Sequence, residues 1–87
     1  MLFRSPYAVI FRHKGFRFFF YSNEGNPRER IHVHVRGQGG EAKFWIMPMI
    51  GLASSDGLDA RTLRELEQTV ADHAALTEER WNEHFRT

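Results

Sequence analysis

The first half of the chain alternates between apolar and polar residues with a period of two, the signature of strands that bury one face. Tyr7 to Arg12 reads as a short strand closed by a His13-Lys14-Gly15 turn. Phe16 to Tyr21 (FRFFFY) follows, with Phe16, Phe18 and Phe20 on one side and Arg17, Phe19 and Tyr21 on the other. Aromatic side chains of this kind favour a pleated surface. Ser22 to Arg30 (SNEGNPRER) reads as a loop whose strongest turn signal is Gly25-Asn26-Pro27. Ile31-His32-Val33-His34-Val35-Arg36 then alternates without exception. After Gly37-Gln38-Gly39-Gly40 the alternation resumes from Glu41 to Met47, and Pro48 stops it.

Side-chain chemistry fixes the register of this second hairpin. A four-residue loop at 37–40 sets Arg36 opposite Glu41, His34 opposite Lys43 and His32 opposite Trp45. The other face then pairs Val35 with Ala42, Val33 with Phe44 and Ile31 with Ile46. A slip of one residue would turn every apolar side chain to the wrong face. The expected core is therefore Ile31, Val33, Val35, Ala42, Phe44 and Ile46 together with Phe16, Phe18 and Phe20.

From Asp59 onward the period becomes helical. Asp59 can cap the helix, with Leu58 and Leu63 as a hydrophobic staple, and Leu63, Leu66, Val70, Ala74, Trp81 and Phe85 form an apolar stripe. One unbroken helix over 60–85 would be about 39 Å long at 1.5 Å per residue, too long for so small a domain. A bend or break near His73 to Thr77 is expected, with Thr77 as the cap of a second helix. Met47 to Leu58 reads as a connection. The expected architecture is a single α+β domain over residues 1–87: an antiparallel sheet of three to four strands with the C-terminal helix, bent or broken in two, packed on one face.

Composition bounds what such a domain can do. The 87 residues include no cysteine, which excludes a disulfide scaffold, a thiolate nucleophile and cysteine-rich zinc sites. The chain fits a reducing cytoplasm. Its apolar runs fall short of the roughly 20 residues needed to span a bilayer, and its N-terminus lacks a long apolar signal core, so no membrane is expected.

The net charge of +1 conceals an asymmetry. Residues 1–43 carry eight Lys/Arg against three Glu, whereas residues 44–87 carry four Arg against eight acids. Ten of the twelve aromatics also precede residue 46. Either the two halves attract each other, within the fold or within an oligomer, or the basic half faces an anionic partner.

With the helix on one face, the other presents Arg17, Phe19, Tyr21, His32, His34, Arg36, Glu41, Lys43 and Trp45. Rings beside cations suit single-stranded RNA, whose bases stack while its phosphates are neutralised. Arg17, Phe19, Tyr21, Arg36, Lys43 and Trp45 are the candidate nucleic-acid contacts. His32 and His34, two apart on a strand, point the same way. They are candidate catalytic groups, one accepting a proton from a ribose hydroxyl and the other protonating the leaving oxygen. Lys43 and Arg36 beside them oppose a divalent ion, so no metal is the first expectation and a metal-binding protein using His32, His34 and Glu41 is the weaker alternative; no cofactor is expected. A non-enzymatic alternative buries the aromatic face against a small partner protein or a second copy. No phosphate loop or nucleophile elbow is present.

The run Gly15 to Asn26 (GFRFFFYSNEGN), followed by His32-Val33-His34-Val35, Glu41 to Ile46 (EAKFWI) and Trp81 to Phe85 (WNEHF), resembles DUF4160, a bacterial domain-of-unknown-function family. Members typically carry Pro-Pro before the His-x-His pair, where this chain has Arg30 and Ile31. The resemblance implies a small protein encoded beside a second short protein, as in toxin–antitoxin pairs, and some members are labelled transcriptional regulators. It favours a protein partner and a nucleic-acid target, with the His-x-His pair and its sheet face as the site. The expected function is a toxin–antitoxin-type component that binds or acts on RNA.

Overall fold

Alternation produces strands β1 (Tyr7–His13), β2 (Phe16–Tyr21), β3 (His32–Gly37) and β4 (Gly40–Trp45) where the sequence predicts them, in a computed structural model that describes residues 6–24 and 29–85. The turn expected at Gly25-Asn26-Pro27 lies outside the described residues. A fifth strand, β5 (Gly51–Asp56), corrects the expectation of three to four. The sheet is an antiparallel meander in the order β1-β2-β3-β4-β5.

The sequence of β5, GLASSD, gives no alternation to read, and all its residues but Gly51 are exposed. It is a strand because the outer edge of β4 offers backbone donors and acceptors that need partners, not because it has side chains to bury. Segments made by pairing alone leave little trace in a hydrophobic pattern.

The register of β3 on β4 is the one polarity dictates: His32–Trp45, Val33–Phe44, His34–Lys43, Val35–Ala42 and Arg36–Glu41. Gly37 also pairs with Gly40, so the loop has two residues rather than four. Gln38 and Gly39 both have positive φ, 50° and 81°, as do Lys14 and Gly15, 48° and 81°. Two left-handed residues in succession make a type I′ turn, whose twist matches that of the strands it joins. Glycine at the second position makes this conformation accessible in both hairpins.

Helices α1 (Ala60–Asp72) and α2 (Ala74–His84) meet at His73. Asp59 caps α1, its carboxylate accepting from the Thr62 N–H at 2.8 Å. Thr77 does not cap α2: it lies buried inside that helix and its hydroxyl donates to the His73 carbonyl at 2.8 Å. The break therefore comes four residues earlier than Thr77 suggested. Phe11 stacks on His73 at the junction, with ring centroids 4.1 Å apart.

Phe16, Phe18, Phe20, Val33, Val35, Ala42, Phe44 and Ile46 form one buried cluster with Leu66, Val70, Trp81 and Phe85 of the helical segment. Ile31, Leu58, Leu63 and Ala74 pack at its margin. Both helices thus cover one face of the sheet. The two oppositely charged halves form salt bridges at one place among the described residues, where Glu65 of α1 meets Lys14 at 3.0 Å and His13 at 3.4 Å. The other ion pairs lie within the first half. Among the described residues, no helix is long and apolar enough to cross a membrane.

Trp81 is the largest fully buried side chain. Trp81→Ala is expected to destabilise the fold by about 3–5 kcal/mol, and Asp59→Ala by about 1 kcal/mol through loss of the cap. Urea unfolding followed by circular dichroism measures both, and a larger loss for Asp59→Ala than for Trp81→Ala would contradict this ranking.

Candidate functional site

The ladder between β2 and β3 runs from Arg17–Arg36 to Phe19–His34. Beyond it, His32 opens β3 and a turn over Tyr21 to Glu24 closes β2, with the Glu24 N–H donating to the Tyr21 carbonyl at 3.2 Å. The Tyr21 N–H in return donates to Glu24 Oε1 at 2.9 Å. This reciprocal turn aims the second carboxylate oxygen, Oε2, at β3. There the Nε2 atoms of His32 and His34 both lie 2.6 Å from it.

Each histidine is fixed differently. The Nδ1 of His32 donates to the Arg30 carbonyl at 2.7 Å. That carbonyl can only accept, so Nδ1 is the donor there and Nε2 is the nitrogen turned to Glu24. The ring is 0% exposed, packed edge-on near Trp81 and Trp45 with centroids 5.0 and 5.7 Å away. Alternation assigns His32 to the open face; Trp81, reaching from α2, seals it instead. His32 therefore has no surface for a substrate and acts on its surroundings through Glu24. His34, with its side chain 18% exposed, is the histidine that solvent reaches. It packs against Phe19 and Tyr21, with centroids 5.6 and 4.7 Å away.

Glu24 is the residue the sequence reading missed. Burial acts to raise the pKa of its carboxyl. Hydrogen bonds from His32, His34 and the Tyr21 N–H outweigh that effect and hold it at about 2. Glu41, expected beside the histidines, instead takes a hydrogen bond from Arg36 at 2.9 Å. Glu24 thus replaces Glu41 as the carboxylate of the trio, and the facing donor atoms of Glu24, His32 and His34 all lie within 4.8 Å of one another. Its position in a loop, eight residues before His32, carries no periodic signal.

The cations near the trio are engaged elsewhere. Lys43 lies over the Trp45 ring, 4.6 Å from its centroid, and 4.0 Å from Glu29. Arg30 stacks on the same ring at 4.1 Å and donates to the Met47 carbonyl.

Cross-strand pairing orders the rest of the open face. Arg12 faces Arg17, Arg17 faces Arg36, Arg36 faces Glu41, and Glu41 faces Asp56. One row across all five strands thus holds three cations and then two acids. Arg12 and Arg17 have no ion-pair partner among the described residues. The neighbouring positions carry the edge-to-face rings of Tyr7, Phe19 and Tyr21. Phe19 is buried beside these neighbours. Tyr21, His34, Arg36 and Lys43, with Ser54 and Asp56 of β5, line an open concavity of about 420 Å³. The expected contacts Arg17, Phe19, Tyr21, Arg36 and Lys43 thus come together, whereas Trp45 is occupied by its two cations.

A family model described as a domain of unknown function (DUF4160) matches residues 15–82. No curated protein and no solved structure matches the chain.

The depressed Glu24 pKa links the trio to stability. Its contribution is complete above the ordinary carboxyl value of 4.5 and is lost as pH falls toward about 2. With chelator present, urea midpoints should fall between pH 5 and pH 2 more steeply for the native chain than for Glu24→Gln. Parallel pH profiles would contradict the assignment.

Proposed function

The chain belongs to DUF4160, a family defined by a domain of unknown function, and within it we propose that this member binds single-stranded RNA across the open face of its sheet. The observation that carries this reading is the arginine row Arg12–Arg17–Arg36 on three adjacent strands. Like charges directly opposite each other destabilise a sheet, and strands about 4.8 Å apart hold these side chains close together. An anionic chain laid across the row offsets that repulsion. The acidic second half does not, since among the described residues its salt bridges to the first half are confined to Glu65.

The rings favour a single strand over a duplex. Tyr7 and Tyr21 stand beside the arginines and are partly exposed, and unpaired bases stack on such surfaces with little dependence on sequence. Glu41 and Asp56 end the row and mark the edge where a phosphate backbone is repelled. Binding needs no proton transfer, and His32, sealed behind Glu24, has no part in contacting the strand. The toxin–antitoxin setting implied by the resemblance rests on genetic neighbourhood rather than on any feature of this fold.

Fluorescence anisotropy with a labelled single-stranded RNA oligonucleotide tests the reading. Each phosphate neutralised on a single strand contributes about −0.7 to the slope of log K against log salt, so three arginines give a slope of about −2. Arg17→Ala should bring it to about −1.4 and weaken binding, whereas Glu41→Gln, which removes a competing acid beside Arg36, should strengthen binding. Tyr21→Ala should cost about 1–3 kcal/mol of stacking. Affinity that is indifferent to salt and to the loss of both Arg12 and Arg17 would overturn the proposal.

A further inference from the structure

We infer that Glu24, His32 and His34 form a binding site for one divalent transition-metal ion, coordinated by the two Nε2 atoms and by Glu24 Oε2. This goes beyond RNA binding and stands on different residues from the arginine row. Three neutral or anionic donors converge on one point and are within 4.8 Å of one another, two of them buried and the third half-buried. Two histidines and a carboxylate, with no thiolate in the chain, suit zinc, iron(II), cobalt(II) or nickel.

The atoms behind the donors are arranged as a metal site requires. A ligating histidine presents one nitrogen to the ion and donates a hydrogen bond from the other. His32 does this through Nδ1–H to the Arg30 carbonyl at 2.7 Å. A ligating carboxylate is likewise held by its second oxygen, and Glu24 Oε1 takes the Tyr21 N–H at 2.9 Å. Both orientations are set by main-chain atoms, so they exist before an ion arrives. The ring of His32 is further locked between Trp81 and Trp45.

The cations expected to repel an ion are diverted. Lys43, which faces His34 across the ladder, is drawn to Trp45 and Glu29. Arg36 is paired with Glu41. Both Nε2 atoms lie 2.6 Å from Glu24 Oε2, and a divalent ion would sit among these three atoms. Ligand bonds of about 2.0–2.2 Å separate neighbouring donors by roughly 3.3 Å, so Oε2 parts from each imidazole by less than about 1 Å while the two Nε2 atoms, within 4.8 Å of each other, come to the same spacing. Three protein ligands leave a fourth position for water or a bound group on the partly exposed His34 side.

Protein purified without a histidine tag and dialysed against chelator is titrated with Zn²⁺ by calorimetry, and with Co²⁺ by visible absorption. One equivalent per chain is expected, with an intense Co²⁺ band reporting low coordination number. X-ray absorption on the zinc-loaded chain should show two imidazoles at about 2.0–2.1 Å. His34→Ala and Glu24→Gln, checked for folding by circular dichroism, should each weaken Zn²⁺ affinity by more than about 100-fold, beyond the loss typical of an outer-shell change. The absorption spectra of the unmutated chain decide the matter if neither variant folds. Failure of the folded native chain to bind Zn²⁺ or Co²⁺, stoichiometric binding undiminished in both variants, or a spectrum without imidazole scattering would overturn the inference and leave the trio a hydrogen-bonded ion cluster. RNA affinity measured in chelator is a separate readout, so failure of one proposal is distinguishable from failure of the other.

Discussion

The antiparallel register of β3 on β4 assigns each residue of both strands to a face, and a slip by one would exchange the two sets. Val33, Val35, Ala42 and Phe44 go to the helix side, while His34, Arg36, Glu41 and Lys43 go to the other. The type I′ turn at Gln38-Gly39 enforces this pairing from one end, and the burial of Phe44 and Val33 against α1 and α2 enforces it along the length. The core and the open face are thus two consequences of one constraint. A substitution that weakens the register would disturb both together.

Where the chain has a periodic pattern, the fold was legible. The β3–β4 pairing, the core residues and the Asp59 cap each rest on local chemistry that the residues themselves display. β5 was not legible, because Gly51 to Asp56 bury almost nothing and are ordered by backbone pairing to β4. Thr77 was misassigned for a related reason: a threonine that could cap a helix can also bond back to the carbonyl four residues earlier inside one, as it does here.

The candidate site was half legible. Alternation brings His32 and His34 to one side, but it cannot know that pairing of β2 with β3 ends at Phe19–His34 and that Trp81 then closes over His32. Nor can it place Glu24, whose aim depends on a turn at the end of β2. The arginine row is similarly hidden: Arg12, Arg17 and Arg36 are far apart in sequence and become neighbours only through two successive ladders, one of them shifted between Val9 and Phe11. Once these are in place, the net charge of +1 ceases to describe the surface. What matters is that two of the row's cations have no acidic partner among the described residues, while His32 and His34 close on Glu24.

The division of labour between the two faces is the claim from which the rest follows. It is tested most directly by mapping backbone amide shifts in a ¹H–¹⁵N correlation spectrum as a single-stranded RNA oligonucleotide is added. The account predicts perturbations concentrated at Arg12, Arg17, Tyr21, His34, Arg36 and Lys43, with α1 and α2 unmoved. Perturbations centred on the helices, or none at concentrations that saturate other single-strand binders, would contradict it.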